Sequence, residues 1–170
     1  GIDKMTVNEI DEYFNENMDE IKTTIKNKKY KPLPVRRVYI PKPNGKERPL
    51  GIPTVRDRVI QQAVAQVLIN VYDEHFSSHS YGFRPNRNAH GAIEEVLKYL
   101  NEGYEWVIDL DIEKFFDKVN HDKLISIIRE QVKDDVTLHL LRKMLQAGVL
   151  EEELVSPTEE GVPQGGLCKA

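Results

Sequence analysis

The sequence is poor in the features that mark secreted and membrane proteins. Its single cysteine, Cys168, excludes an internal disulfide and fits a reducing compartment. No apolar run approaches the ~20 residues that a membrane span needs, and no signal-peptide pattern opens the chain. We therefore expect a cytoplasmic protein without a membrane partner.

The net charge is also small, but the basic residues are concentrated in one segment. The whole chain has a net charge of −4, yet residues 22–62 carry twelve Lys or Arg against two acidic residues, a net of +10. The remainder carries 12 basic and 26 acidic residues, a net of −14. A solvated surface normally mixes both signs, so this segment indicates a local surface for a polyanion, and nucleic acid is the expected ligand.

Apolar residues at helical spacing predict five helices, and the extended segments between them predict an α+β fold. Thr6 and Glu9 have capping-box spacing ahead of the first helix. Val59 and Val67 belong to the stripe that is expected to face the core in the second helix, and Ile60 and Val64 widen it. Ile93 and Leu97 belong to the corresponding stripe of the third helix. The predicted helices cover residues 7–27, 55–75, 89–100, 120 or 122 to 130, and 135–147.

A basic β-hairpin is predicted between the first two helices. Strands expected at residues 35–40 and 47–52 flank an Asn-Gly pair, the strongest short hairpin signal. The hairpin carries five cations that are suited to phosphate contacts: Arg36, Arg37, Lys42, Lys46 and Arg48. A Gly- and Pro-containing loop over residues 77–88 adds Arg84 and Arg87 among aromatic residues, a combination that can stack bases and pair phosphates or simply plug the edge of a core.

The apolar run at residues 106–110 predicts a strand that is buried on both faces, and Asp111 follows at its end. A carboxylate at the mouth of a buried strand needs a positive partner. Mg²⁺ prefers oxygen ligands and needs few from the protein when a substrate brings phosphates. Asp111 is therefore a candidate metal ligand, although an Asp after a strand is also a common turn former or helix cap.

Five sequence blocks, in order, resemble the amino-terminal part of bacterial group II intron-encoded reverse transcriptases. They are G-I-D-K-M-T at residues 1–6, the block V-R-R-V-Y-I-P-K-P-N-G-K-E-R-P-L-G-I-P-T-V-R-D-R at 35–58, S-Y-G-F-R-P-N-R-N-A-H at 80–90, D-I-E-K-F-F-D-K-V-N-H at 111–121 and G-V-P-Q-G-G at 161–166. The resemblance implies the fingers and part of the palm of a right-hand polymerase, with helices packed on a small, mostly antiparallel sheet. It divides the chain into an N-terminal extension with fingers (residues 1–103) and a partial palm (residues 104–170).

The resemblance also implies roles for individual residues. Asp111 is similar to the first metal-binding carboxylate, with the Ile112 carbonyl beside it, and Mg²⁺ is the implied cofactor. Phe116 is similar to the residue that acts as a steric gate against a ribose 2′-hydroxyl. The alternative is that Phe116 is an aromatic residue of the hydrophobic core. Lys42 and Arg48 are similar to triphosphate-binding cations, and Gln164 to a residue lining the nucleotide pocket. The RNA and template contacts are expected from Arg36, Arg37, Lys46, Arg84 and Arg87.

The implied partners are an RNA template, intron RNA, a DNA primer and deoxynucleoside triphosphates, and the oligomeric state, including a homodimer, stays open. The family's second catalytic motif, Tyr-x-Asp-Asp, does not occur in this sequence, and Leu167 to Ala170 depart from the family's pattern. The chain is therefore expected to be a fragment without polymerase activity on its own. Two alternatives stay open: a non-catalytic intron-RNA-binding maturase module, and another reverse transcriptase lineage of the retron or CRISPR-associated type.

Overall fold

A computed structural model of the chain describes residues 1–43 and 45–162. These residues form five α-helices and four strands, joined by three short 3₁₀ turns. The helices are α1 (Ile10–Lys26), α2 (Val55–Tyr72), α3 (Ala89–Asn101), α4 (His121–Gln131) and α5 (Asp135–Leu145), and the strands are β1 (Val35–Pro41), β2 (Glu47–Ile52), β3 (Val149–Glu151) and β4 (Leu154–Ser156). The five predicted helices and the basic hairpin are thereby confirmed.

Local side chains fix where four of the helices begin. A side-chain oxygen of the residue before the helix accepts an early backbone N–H, which satisfies one of the donors that a helix start leaves unpaired. The acceptors are Thr54 for α2, Asn88 for α3, Asn120 for α4 and Asp134 for α5. No helix among residues 1–43 and 45–162 combines the length and the apolar character that crossing a membrane requires.

The four strands form one sheet in the order β2-β1-β3-β4. The β1–β2 and β3–β4 pairs are antiparallel, and β3 joins β1 in parallel with Val35 opposite Val149. The mostly antiparallel sheet is thus confirmed, whereas β3 and β4 were not predicted. Because β3 lies beyond residue 104 and β1 before it, the sheet contains strands from both sides of the expected domain boundary.

The core lies where α1, α2 and α5 meet the segment that leads into β1. Ile21, Tyr30, Ile60 and Leu140 form its buried cluster, and Val64 packs against it. The face of α2 that is buried is therefore centred on Ile60. The predicted stripe through Val59 and Val67 was wrong, since Val67 is 64% exposed, whereas Ile60 and Val64, which were expected to widen it, do face the core. Apolar residues are spread around more than half of the circumference of α2, so the sequence pattern did not identify which side would meet α1 and α5.

The strand predicted at residues 106–110 is absent, and the prediction was wrong. Residues 104–112 form neither helix nor strand, with Trp106 94% and Leu110 87% exposed. A buried strand needs a neighbour for its backbone N–H and C=O groups and a layer over each face. None of the described strands pairs with this segment. The apolar face of α3 is likewise exposed, with Ile93 at 57%.

Candidate functional site

The 3₁₀ turn Phe115–Lys118 is bonded to the first residues of the G-V-P-Q-G-G block. The backbone N–H of Val162 donates to the Phe116 carbonyl at 2.6 Å, and the N–H of Gly161 donates to the Val119 carbonyl at 2.8 Å. Asn120 and Glu160 add an antiparallel bridge. Two sequence blocks that are about forty residues apart are thereby held side by side.

Gly161 permits this close approach. Its φ is +83°, and a Cβ built on it would lie 2.8 Å from the Asp117 carbonyl oxygen and 3.0 Å from that of Phe116. A side chain at this position would push against backbone rather than against a movable side chain. The half-buried Phe116 side chain packs edge-on against Phe115, with ring centroids 5.7 Å apart. Gln164, the other residue expected beside Phe116, lies outside the described residues.

His121, which the sequence analysis did not single out, belongs to this arrangement. It is the first residue of α4, it is only 4% exposed, and its Nε2 lies 2.7 Å from the Gly161 carbonyl oxygen. A carbonyl oxygen only accepts, so Nε2 carries the proton in this contact. Its place directly after the Asn120 cap gave no sign of this contact, because the contact spans forty residues.

The basic hairpin presents most of its cations on one face. In the β1–β2 register Arg36 lies opposite Ile52 and Ile40 opposite Arg48, and the Lys42 N–H donates to the Lys46 carbonyl at 2.7 Å. Side chains alternate between the faces of a sheet, so this register assigns Arg36, Lys42, Lys46 and Arg48 to the same face. The nucleotide-binding and RNA-binding residues predicted on the hairpin are thus brought together, except Arg37.

Arg37 lies on the opposite face of the hairpin. It lines a cleft of about 430 Å³ together with Glu151, Glu159 and Glu160. On this face the Tyr39 hydroxyl donates to the Glu151 carboxylate, and this hydrogen bond raises the pKa of Tyr39. Arg36 therefore shares a face with the other hairpin cations, whereas the adjacent Arg37 faces the glutamate-lined cleft.

A buried carboxylate anchors both legs of the hairpin. Asp57, which is 1% exposed, accepts the Leu33 N–H at 3.0 Å ahead of β1 and the Thr54 hydroxyl at 2.7 Å just after β2. The Tyr30 hydroxyl donates to it at 2.5 Å. Burial, and next the bond to Asp57, raise the pKa of Tyr30 far above its ordinary value. The hairpin base is therefore held by hydrogen bonds to a single side chain.

The loop that carries Arg84 and Arg87 is fixed by those two side chains. Arg84 donates to the Asp73 carboxylate at 2.8 Å, to the Asp73 carbonyl at 2.7 Å and to the Ser77 carbonyl at 2.7 Å. Its hydrogen bond to Asp73 lowers the pKa of that carboxyl. These contacts occupy the Arg84 guanidinium within the loop, and its contact with RNA stays a prediction.

Arg87 is less enclosed than Arg84. It donates to the Ser78 carbonyl at 2.9 Å and lies over the Tyr81 ring, 5.2 Å from its centroid. It lines a cleft of about 310 Å³ with Tyr81, Asn88 and His90. The loop therefore offers one arginine, an aromatic ring and a cleft at the start of α3.

Asp111 and the Ile112 carbonyl lie in the exposed segment before the Phe116 turn. Asp111 makes no hydrogen bond or ion pair with another described residue, and Ile112 is 70% exposed. A carboxylate and a nearby carbonyl are oxygen donors of the type that Mg²⁺ prefers. Within residues 1–43 and 45–162 no group of three or more metal-binding side chains occurs. The donors fit part of a magnesium site, with further ligands to come from water, phosphate or other residues.

The comparisons with known proteins agree with the motifs. Residues 40–168 match the family model of the reverse transcriptase (RNA-dependent DNA polymerase). The chain is 44% identical over 142 residues to protein YkfC of Escherichia coli K12, a match covering 81% of this chain and 37% of that protein. It is 40% identical over 158 residues to the group II intron-encoded protein LtrA of Lactococcus lactis subsp. cremoris, covering 92% of this chain and 26% of that protein.

A solved structure shares the fold. The partial Cas6-RT-Cas1–Cas2 complex matches with a TM-score of 0.53 at 19% identity, covering 92% of this chain and 27% of that one. The chain thus spans 37% of the length of the Escherichia coli relative and 26% of that of the Lactococcus relative. The expected resemblance to group II intron-encoded proteins is confirmed. The chain belongs to the reverse transcriptase (RNA-dependent DNA polymerase) family.

Proposed function

We propose that this chain is the template- and nucleotide-binding part of an RNA-directed DNA polymerase of the group II intron type. The polymerase copies RNA into DNA and helps to fold and splice its own intron RNA in the bacterial cytoplasm. The observation that carries the proposal is the bonding of the Phe116 turn to residues 161–162, since it joins the two blocks that the family uses to enclose a nucleotide.

In this proposal the nucleotide is bound from two sides. Lys42 and Arg48 lie on one face of the hairpin and neutralise the triphosphate. Phe116 lies under the sugar, where its ring leaves room for a 2′-hydrogen and not for a 2′-hydroxyl. Gln164, which lies outside the described residues, is assigned to the same pocket from the family resemblance. In the reaction the primer 3′-hydroxyl loses its proton to solvent as its oxygen bonds to the α-phosphorus, and the bond from that phosphorus to the departing pyrophosphate breaks.

Asp111 and the Ile112 carbonyl would hold Mg²⁺ in the polymerase. When bound, Mg²⁺ ions activate the primer hydroxyl and stabilise the charge that develops on the leaving pyrophosphate. The support is the donor chemistry of the two groups and the exposure of Asp111. One carboxylate is too few for a two-metal site, so we expect no polymerase activity from the 170-residue chain alone.

RNA is bound mainly by the cationic face of the hairpin, Arg36 and Lys46 included. Arg87 adds a contact at the second loop, while Arg37 contributes less because glutamates line its cleft. Phosphate contacts determine where the RNA lies and carry no sequence information. The partners are the RNA template, the intron RNA, the DNA primer and deoxynucleotides.

A chimera tests this function. The chain replaces the matching 26% of the Lactococcus relative, and template-primer extension with Mg²⁺ and deoxynucleotides is measured. We expect extension on RNA templates that is abolished by Asp111→Asn, while Asp109→Asn, two residues earlier, retains it. A chimera that folds and binds RNA but extends no primer contradicts the proposal.

A second candidate, a non-catalytic intron-RNA-binding module, is favoured by one observation. Residues 22–62 carry a net charge of +10 in an acidic protein, which suits RNA binding whether or not catalysis follows. The same chimera separates the two functions. An RNA-binding module promotes intron splicing equally well with Asp111 or Asn at this position and yields no DNA product.

A further inference from the structure

The contact between His121 and Gly161 has no role in the proposed chemistry, yet it joins the start of α4 to the segment that is bonded to the Phe116 turn. His121 is 4% exposed, and its Nε2 lies 2.7 Å from the Gly161 carbonyl oxygen. The residues are forty positions apart in the sequence, so chain connectivity does not hold them together. A buried histidine that donates to a carbonyl of a functional segment is suited to fix that segment in place.

Three hydrogen bonds join the turn to the segment, and they differ in kind. Those from Val162 to Phe116 and from Gly161 to Val119 are backbone bonds, which most substitutions leave intact. The third is made by the His121 side chain, so a single substitution can remove it. It turns the Gly161 carbonyl toward α4, and the orientation of that peptide unit sets the direction of the Val162 N–H that reaches Phe116.

We propose that His121 is a positioning residue for sugar selection. It donates Nε2–H to the Gly161 carbonyl and so holds residues 161–162 against the Phe116 turn. The distance between the Phe116 ring and the opposite wall of the pocket is thereby kept small enough to reject a ribose. His121 does not touch the nucleotide. The inference rests on the proposed function, since it gives His121 a role in the pocket that Phe116 helps to form.

The first test uses the 170-residue chain and amide hydrogen exchange measured by NMR. His121→Leu removes the donor at similar volume, whereas His121→Gln keeps an N–H donor at the end of the side chain. We expect the Gly161 and Val162 amides to exchange about 10-fold faster in His121→Leu, equal to about 1.4 kcal/mol, and close to the wild-type rate in His121→Gln. The amides of α2, such as that of Ile60, should keep their rates in both variants.

The second test measures single-nucleotide incorporation by the extension-competent chimera. We expect His121→Leu to lower the preference for deoxynucleotides over ribonucleotides about 10-fold, or about 1.4 kcal/mol, with kcat for deoxynucleotides changed less than 2-fold. His121→Gln should restore the preference. Phe116→Ala serves as the reference for a fully opened gate.

The outcomes separate the inference from the function on which it rests. A wild-type chimera that extends primers, combined with a His121→Leu variant of unchanged sugar preference, overturns the positioning role. Equal losses of kcat and of thermal stability in the Leu and Gln variants also overturn it, because they indicate a purely structural histidine. A wild-type chimera that extends nothing overturns the proposed function and sugar selection with it, while the exchange rates still decide whether His121 holds the segment.

Discussion

Two regions of this chain have similar apolar content, but one buries its apolar side chains and the other leaves them exposed. The packed region, formed by α1, the base of the hairpin, α2 and α5, buries Ile21, Tyr30, Ile60 and Leu140 in one cluster. The exposed region, formed by α3 and residues 104–114, leaves Trp106 94% exposed. Burial therefore depends on what surrounds a segment as much as on its composition. The apolar residues of the exposed region contribute no comparable stability to the described fold.

The difference follows from the partners that each region has. A helix satisfies its own backbone but still needs a partner for its apolar face: α1, α2 and α5 provide that partner for one another, whereas α3 buries none of its residues. The segment at residues 106–110 needs a neighbouring strand before it can be buried, because its backbone groups are otherwise hydrated. The largest expected effects of substitution consequently lie in the packed region, and the exposed region supplies matched controls.

The largest effect is expected from truncating a leucine in the packed region. Leu140→Ala removes a side chain that is 5% exposed and leaves a cavity in the cluster with Ile21 and Ile60, at a cost of about 2–5 kcal/mol in the free energy of unfolding. Leu110→Ala, at 87% exposure, should stay within about 0.5 kcal/mol. Urea unfolding of the two variants measures the contrast, and equal losses would remove the distinction between the regions.

The second effect concerns the hydroxyl that Tyr30 donates to Asp57. Tyr30→Phe leaves the buried carboxylate with one donor fewer, which should cost about 1–3 kcal/mol of stability. Tyr39→Phe is the matched control, because Tyr39 donates to Glu151 from an exposed position. If the control is destabilised as strongly as Tyr30→Phe, burial does not determine the strength of this anchor.

The raised pKa of Tyr30 adds a pH dependence to the same comparison. A group whose pKa is higher in the folded state stabilises the fold below its unfolded pKa, about 10 for tyrosine. That contribution is lost as the pH rises from about 10 toward the folded value. The wild type should therefore lose more stability than Tyr30→Phe between about pH 9 and 11, measured by urea unfolding across that range.

These results bear on how far the sequence could predict the structure. Caps such as Thr54 and Asn88 and the Asn-Gly pair in the sequence act over a few residues, and the elements that they define were predicted. The β3–β4 turn was missed because Glu152 and Glu153 form it at positive φ, where Gly or Asn is the usual signal. The strand at residues 106–110 was wrongly expected because an apolar pattern reports a preference for burial and carries no information about an available partner.

The residues of the candidate site also fall into two groups: those that the local sequence indicates and those that only the tertiary structure brings together. The hairpin cations followed from the local register, so their common face was within reach of the sequence. The contact of His121 with Gly161 spans forty residues, and no periodicity or spacing indicates it. The aromatic residues around Arg84 suggested an RNA contact for it. Its bonds to Asp73 could not be predicted, because they depend on how the loop returns to the end of α2.

The third effect is expected on RNA binding and concerns the two faces of the hairpin. Arg36→Glu should weaken binding to all RNA sequences alike and lower the salt slope by about 0.7 for each phosphate that is no longer neutralised. Arg37→Glu, the adjacent residue on the face with the glutamate-lined cleft, should have the smaller effect. Filter binding of the 170-residue chain across a salt series measures both. Equal effects would show that the faces are not distinct in RNA binding, and no salt-sensitive binding at all would exclude the hairpin as the RNA surface.

The smallest effect is expected in the loop between the two regions. The Arg84 guanidinium holds the pKa of Asp73 below its ordinary value, so their ion pair stabilises the loop above about pH 4. It is lost as the pH falls through the lowered pKa. The Arg84 Nε–H signal in NMR should shift over that acid range and should be altered at neutral pH in Asp73→Asn. Glu74→Gln, next to it and without a bond to Arg84, should leave the signal unchanged.

The parallel pairing of β1 with β3 has a consequence for the order of events during synthesis. Val35 meets Val149, and Ile21 meets Leu140 in the core, so neither the sheet nor the core closes until α5 and β3 have been made. The hairpin needs only residues 35–52 and can form within microseconds. At ~5–20 residues per second, the ribosome needs about 5–20 s to proceed from β2 to β3. During that interval the nascent chain already presents its cationic face to any RNA nearby, its own transcript included.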